Sequence, residues 1–515
     1  MHGWRQLVGA CLLAVGCGGA MTDAPAPGSP APGGVTAQWE APLPELGPAT
    51  LLKDLYPPPD EPFPGPFGGP APTDLLAFRD RLYFSAIDFA AGRGALWRSN
   101  GTTASTVPVK HLDDAPGRLT VVGNQLFFTG GFSEEHGNEL WVSDGTTAGT
   151  RRVKDLTPAS GTAFLENFIA VDDTLFFFRV VRMPLIFSSE LELWRSDGTA
   201  GGTARVTELG QEGTFNGPLE LASVGDLLFM SFGKTDTGTE LWVSDGTAEG
   251  THLVKDLLPG PASSFPRSLT PAAGVLYFSA DDGEHGRELW RSDGTEEGTE
   301  LVEDTRPGPE GSQAQPITVF KQRLYFATFT PRYAATELRK LNPDPSCHPR
   351  SQRVATIPNP YANIPREFFI FVSTFTATER KLYFTLYYDV GSPAPADVQL
   401  WRTDGTRKGT KLLYQPLLES PDLLPPRPVP TDDGRVVFYA YDEVHGHELW
   451  VTNGQPSGTR LLQDINPGPA SSYPQDLLRA GDFIYFTAVD GVHGREIWTL
   501  PVPDPEAVQQ QSSRE

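Results

Sequence analysis

Residues 288–305 read ELWRSDGTEEGTELVEDT, and forty-eight positions earlier the chain reads ELWVSDGTAEGTHLVKDL. A sentence repeated at a near-constant interval constrains the fold more than composition does. Each copy must form the same supersecondary unit and stack on its neighbours. The motif's Trp recurs at Trp97, Trp141, Trp194, Trp242, Trp290, Trp401, Trp450 and Trp498, with gaps of 44, 53, 48, 48, 111, 49 and 48. The long gap holds a worn copy, ELRKLNPDP, with Arg339 in the Trp position, and splits into 49 and 62. That makes nine units, eight of which keep the Trp.

Every unit has one grammar. A short apolar stretch comes first, then LYF or a relative (Leu82-Tyr83-Phe84, Leu276-Tyr277-Phe278, Leu382-Tyr383-Phe384, Ile484-Tyr485-Phe486). A polar Gly-containing turn follows, then ELW, the turn SDGTxxGT, and LVKDL. These are four short β-rich runs separated by turn chemistry. Alternation places Leu and Phe of LYF on one face and Tyr on the other. Both faces are therefore apolar, which suits a sheet covered on both sides. Four-stranded units of this length predict the blades of a β-propeller.

The two ends predict how the ring closes. The last unit stops at GREIWTLPVP and lacks LVKDL, while the body begins with ATLLKDL (residues 49–55) and has nothing before it. The N-terminal strand is expected to complete the last blade and so remove an exposed sheet edge. The expected fold is all-β, a single closed β-propeller of four-stranded blades over residues 48–501. Unit counting predicts nine blades, with eight as the alternative if the sixth unit is an insertion.

In SDGTxxGT the Asp can accept hydrogen bonds from turn amides and the Gly permits positive φ. Asn100 and Asn453 take the Asp position in two units. Asn keeps the oxygen and loses the charge, an exchange that suits a turn but not a general acid or metal ligand. Asp144, Asp197, Asp245, Asp293 and Asp404 are therefore read as structural turn residues. The motif resembles that of the bacterial ELWxxDGT-repeat proteins, many of them secreted or lipoproteins and often myxobacterial. The resemblance covers nearly all of residues 49–498. It implies the fold and an exported location, and it carries no activity, cofactor or ligand.

The N-terminus, MHGWRQLVGACLLAVGCGGA, has one Arg, an apolar run and small residues, a secretory signal in outline. Leu13-Ala14-Val15-Gly16-Cys17 resembles a bacterial lipoprotein lipobox, departing from it at Ala14, where Leu is usual. The resemblance implies lipidation at Cys17. With Gly18 next, it also implies an outer-membrane or cell-surface destination. Residues 1–17 are expected to be a lipoprotein signal peptide, 18–47 a disordered Pro/Ala/Gly-rich tether, and 502–515 a disordered tail. Elsewhere no apolar run is long enough to span a bilayer, so membrane contact is expected only through the lipid.

The net charge of -23 disfavours a nucleic-acid partner. Of Cys11, Cys17 and Cys347, processing would leave one thiol in the body, so no intrachain disulfide framework is expected. His136, His285, His445 and His493 share the context HGxE, but one per blade places them too far apart for one ion. The turns lack the DxDxDG ligand series of a calcium loop. No nucleophile elbow, P-loop, zinc-protease helix or dinucleotide fingerprint is present. No catalytic, cofactor-binding or metal-binding residue is assigned, and no cofactor is expected.

Departures from the repeat are the better pointers, because insertions in repeat proteins collect on a binding face. Unit three carries FRVVRMPLIFSSELELW, unit seven carries TLYYDVGSPAPADVQLW, and the junction of units six and seven adds PSCHPRSQRVATIPNPYANIPREFFIF. With the closing strand outermost, these are expected on the face of the inter-blade connections. The candidate ligand-face residues are Arg179, Arg182, Met183, Ile186, Tyr361, Arg366, Tyr387 and Tyr388. The functional expectation is a monomeric, lipid-anchored envelope propeller that serves as a binding or interaction scaffold for an unknown protein or glycan. The alternatives are a glycan hydrolase or lyase with its site at the central channel, and a purely structural surface component.

Overall fold

The computed structural model describes residues 45–56, 71–133, 137–156, 163–182, 189–212, 220–344, 350–362, 369–389, 397–415 and 427–502. Its strands form nine separate four-stranded antiparallel sheets. In chain order the blades span Thr73–Leu112, Gly117–Lys154, Ala163–Glu212, Glu220–Lys255, Arg267–Glu303, Gln315–Pro358, Phe369–Tyr414, Val429–Gln463 and Gln475–Pro501, and are numbered 1 to 9. Blade 9 has three strands of its own, and Thr50–Lys53 pairs with its last strand to make the fourth. The worn sixth unit is a complete blade, in which Arg339 sits opposite Phe326 as Trp does elsewhere. Nine blades, not eight, is the count, and the fold is the closed propeller the repeat predicts.

The first strand of each blade is the innermost. These inner strands touch one another in sequence around the whole ring, including blade 9 with blade 1. No blade has a core of its own. Nine apolar clusters are present among the described residues, each shared by two adjacent blades. The LYF alternation explains this. Leu82 and Phe84 face blade 9, whereas Tyr83 faces blade 2; Leu382 and Phe384 face blade 6, whereas Tyr383 faces blade 8. A blade alone would leave both apolar faces in water, at a cost of about 1.5–3 kcal/mol for each large side chain exposed. Closure of the ring is therefore what makes each unit stable.

Between blades, the Lys of LVKDL acts as a latch. Lys53, Lys154 and Lys255 each donate from Nζ to a carbonyl of the following blade: Thr106 at 2.9 Å, Thr203 at 2.9 Å and Thr299 at 3.0 Å. Lys53 and Lys154 also lie over the following blade's Trp97 and Trp194. The Leu–Trp step of the third strand is bulged against the outer strand, and the worn blade keeps the bulge at Leu338–Arg339. Such a bulge adds twist, which the splayed blades need.

Strand direction defines two faces. One carries the turns between third and fourth strands, where SDGTxxGT lies. The other carries the inter-blade connections and the loops between second and third strands. Both described chain ends lie on the turn face. Leu46 and Val502 bury in one cluster, and the Val502 amide donates to the carbonyl of Asp482 in a first-to-second-strand turn.

Candidate functional site: the connection face

The repeated turn uses its recurring Ser, Asp and Thr side chains internally. In blade 4, Asp245 Oδ1 accepts from the Thr247 amide at 2.8 Å and the Thr247 hydroxyl at 2.7 Å. That Thr hydroxyl in turn accepts from the Gly250 amide at 2.9 Å. Ser244 Oγ accepts from the Gly246 amide at 3.1 Å and pairs with the Thr251 hydroxyl at 2.7 Å. Asp144, Asp197, Asp293 and Asp404 make the same pair of contacts in their own blades. The second Gly is required by space, since a Cβ at Gly250 would lie 2.0 Å from Asp245 Oδ1. The Asn blades keep the acceptor and vary the rest: the Thr102 hydroxyl donates to Asn100 Oδ1 at 3.1 Å in a turn with Ser105 for the second Gly, and Gln455, in the Thr position, donates its amide to Asn453 Oδ1 at 3.0 Å. The Thr146 hydroxyl and then its amide hold the Asp144 carboxyl below its ordinary range, and the Thr247 groups do the same for Asp245.

The Glu of ELW had no role in the sequence reading, and it proves to hold the connection face together. Glu240, Glu288, Glu448 and Glu496 are wholly buried. Glu240 accepts from the Ser264 amide at 2.8 Å and the Leu257 amide at 3.3 Å, and also from the Ser264 hydroxyl. Glu288 binds Ser312 and Arg306 in the same way, Glu448 binds Ser472 and Ile465, and Glu496 binds the Tyr56 amide. Glu240, Glu288 and Glu448 thus each tie the start and end of the chain that leads to the next blade, and Glu496 holds the start of the chain that leads to blade 1. Burial pushes Glu240, Glu448 and Glu496 up to about 7 against these hydrogen bonds, and raises Glu288 as well. The available signal was a charge recurring inside a strand with two apolar faces, a place where only a fully hydrogen-bonded carboxylate survives.

The HGxE histidines are local. His285, His445 and His493 pair through Nδ1 with Asp282, Asp442 and Asp490, at 2.7, 2.9 and 2.7 Å. The Asp hydrogen bond raises the pKa of each histidine. His136 lies outside the described residues, as do Cys11, Cys17 and Cys347. Among the described residues no three His, Cys, Asp or Glu side chains come together to hold an ion.

The sequence-derived candidates separate in the structure. Arg179 stands in the second strand of blade 3, where Nη1 bonds Glu192 at 2.7 Å; Arg205 and the Trp194 indole N–H bond the same carboxylate. Arg182 ends that strand, and Met183, Ile186 and Arg366 lie outside the described residues. Tyr387 and Tyr388 are in the second strand of blade 7, not in a loop, and both are buried. Tyr361 is on the connection from blade 6 to blade 7, where its hydroxyl donates to Asp397 Oδ2 at 2.9 Å and its ring packs on Tyr388. The junction insertion is divided between the two faces. Residues 342–344 and 350–351 lie between the third and fourth strands of blade 6, on the turn face, while 359–362 follow the fourth strand on the connection face. The fourth strand, Gln352–Pro358, runs between them and was not foreseen because its LVKDL pattern is lost.

Among the described residues, a cleft of about 390 Å³ opens on the connection face between blades 1 and 2. Asp74, Asp114, Ala115, Gly117, Arg118, Thr129, Gly130 and Asn138 line it. Asp74 Oδ1 accepts from the Arg118 amide at 3.0 Å, joining the two inner strands. Asp74 and Arg118 are left-handed, with φ of 53° and 57°, as are Ser268 and Asp476 at the second position of their inner strands. Gly94 allows the connection to pass: a Cβ there would lie 2.2 Å from the Asp114 carbonyl carbon. Exposed apolar tips stand on the same face, namely Phe89, Phe265, Val444 and Val492.

No protein-family model and no curated protein matches the chain. Similar solved structures include a prolyl endopeptidase (12% identity, covering 73% of this chain and 55% of that one, TM-score 0.38). An acylaminoacyl peptidase of Pyrococcus horikoshii is similar at 12% identity, covering 73% and 58%, with a TM-score of 0.34. An uncharacterized protein of Listeria monocytogenes EGD-e is similar at 11% identity, covering 76% and 94%, with a TM-score of 0.37. The chain spans a little over half the length of the two peptidases. Likeness at this level brings no substrate and no catalytic residue to this chain.

Proposed function

We propose that this protein is an exported, lipid-anchored propeller of the bacterial envelope that binds a protein or glycan through its connection face. One observation carries the reading. The side chains repeated in blade after blade are used up in holding the ring, and the connection face carries an open cleft and four of the five exposed large apolar side chains among the described residues. Those features are the blade 1–2 cleft and the tips Phe89, Phe265, Val444 and Val492. The lipobox-like segment and the Pro-rich tether support the anchor. Because the described ends leave on the turn face, such an anchor would present the connection face outward.

The test uses a Cys347→Ser background and a bulky thiol adduct at Val492→Cys or Glu249→Cys, on the connection and turn faces respectively. Saturable capture of purified envelope polysaccharide or protein is expected to be lost with the first adduct and kept with the second. Capture indifferent to both adducts would sink the reading. Release of new reducing ends from the polysaccharide would replace it with a glycan hydrolase or lyase.

A further inference from the structure

The space that forms the blade 1–2 cleft is filled from within in two other blades. Strand register places Thr129, Ser279 and Thr487 at one position, each opposite the first residue of its inner strand. It also places Glu139, Glu288 and Glu496 at one position, and the residues before them are Asn138, Arg287 and Arg495. In blade 5 the Arg287 guanidinium turns back beneath the connection. Its Nη1 donates to the Phe265 carbonyl at 2.9 Å, the Ser279 carbonyl at 3.2 Å and the Ser279 hydroxyl at 3.3 Å. In blade 9 Arg495 Nη1 donates to the Tyr473 carbonyl at 2.9 Å and the Thr487 hydroxyl at 3.2 Å. Blade 2 has the shorter Asn138 there, and the residues that surround the arginine elsewhere line an open cleft: Asp114, Ala115, Gly117, Thr129 and Gly130.

We infer that this cleft takes a guanidinium group from outside, the arginine side chain of a peptide or protein segment. Charge supports it. Phe265 and Tyr473 are left-handed above their arginines, and Ala115 is not; the lining in blade 2 instead includes two acidic residues, Asp74 and Asp114, whose Oδ1 atoms accept from the Arg118 and Ala115 amides at 3.0 and 2.8 Å. Arg118, the cation in the lining, reaches toward Glu166 of blade 3 at 3.7 Å. The chain's net charge of -23 attracts a basic segment. A planar fork of donors fits a carboxylate-and-hydroxyl lining better than the point charge of a lysine. The inference rests on the binding reading above and names one chemistry for its ligand.

The probes are argininamide, the peptide Gly-Arg-Gly, and their lysine counterparts, titrated calorimetrically into the exported chain. Arginine probes are expected to bind about tenfold tighter than lysine probes. Asn138→Arg, which supplies the guanidinium from within as blades 5 and 9 do, should abolish binding with Tm unchanged or raised. Asp114→Asn should weaken it and gives the same information if Asn138→Arg does not fold. Tighter binding of the peptide than of argininamide assigns a protein source, and equal binding a small guanidinium compound. Arginine binding that survives Asn138→Arg and Asp114→Asn, or no preference over lysine, overturns the inference. If connection-face capture persists while arginine probes fail, the slot assignment alone falls.

Discussion

A side chain in this protein is best understood by asking which backbone group it satisfies. Asp245 accepts twice through one oxygen, so Asp245→Ala should cost about 1–2 kcal/mol and Asp245→Asn less than about 0.5 kcal/mol by urea unfolding. Equal losses would show that the charge matters beyond the hydrogen bond. The buried glutamates set the pH dependence. An unfolded Glu releases its proton near 4.5, whereas folded Glu240, Glu448 and Glu496 release theirs near 7, so between those values the folded protein holds more protons. Stability must then fall as pH rises through that window. The raised histidines act in the same direction: their contribution is full at low pH and is lost as pH rises through their folded pKa. The lowered turn aspartates act oppositely, losing their contribution as pH falls through the acid range. Tm should therefore peak near about pH 5 and decline by about several degrees toward pH 8, with a shallower decline in Glu448→Gln. A Tm that rises from pH 5 to 8 would mean these carboxyls are ionised throughout.

At the scale of the element, the unit is a blade that cannot stand by itself. The strand Thr50–Lys53 shows this most directly, because it joins two ends of the chain. Leu52, Leu55 and Tyr56 bury against Leu82, Phe84 and Trp97 of blade 1, while the strand itself pairs with Ile497–Thr499 of blade 9. Removing residues 45–56 should cost several kcal/mol, at about 1.5–3 kcal/mol for each large apolar side chain lost. It should also bare the edge of blade 9 and drive self-association. A deletion variant that stays monomeric by sedimentation with an unchanged Tm would refute ring closure as the source of stability. The same logic explains the worn blade. Arg339 replaces Trp yet keeps its place, bonding Glu337 at 2.9 Å and Ser351 at 2.8 Å. A blade held on both sides tolerates a lost motif that a free-standing sheet would not.

For the whole molecule, the anchor is the prediction that lies furthest from the described residues. In a bacterium that processes lipoproteins, Cys17→Ser should move the protein from the membrane fraction to the soluble exported fraction. Retention in the membrane would reject the lipid anchor. The sequence alone determined the closed propeller, the closing strand and the turn chemistry of the DG motif, and left nine blades or eight for the structure to decide. Each of these is a periodic or end-to-end pattern, and the chemistry of a turn lies within a few residues. Only the tertiary structure decided the roles of Glu288 and Arg287. Their partners, Ser312 and Arg306, and Ser264 and Phe265, are more than a strand away, and a buried charge looks like a surface one until its partners are in place. The blade 1–2 cleft was beyond sequence for the same reason. It follows from a short side chain, Asn138, standing where blades 5 and 9 project Arg287 and Arg495, and an empty volume becomes visible only when the residues around it have been brought together in space.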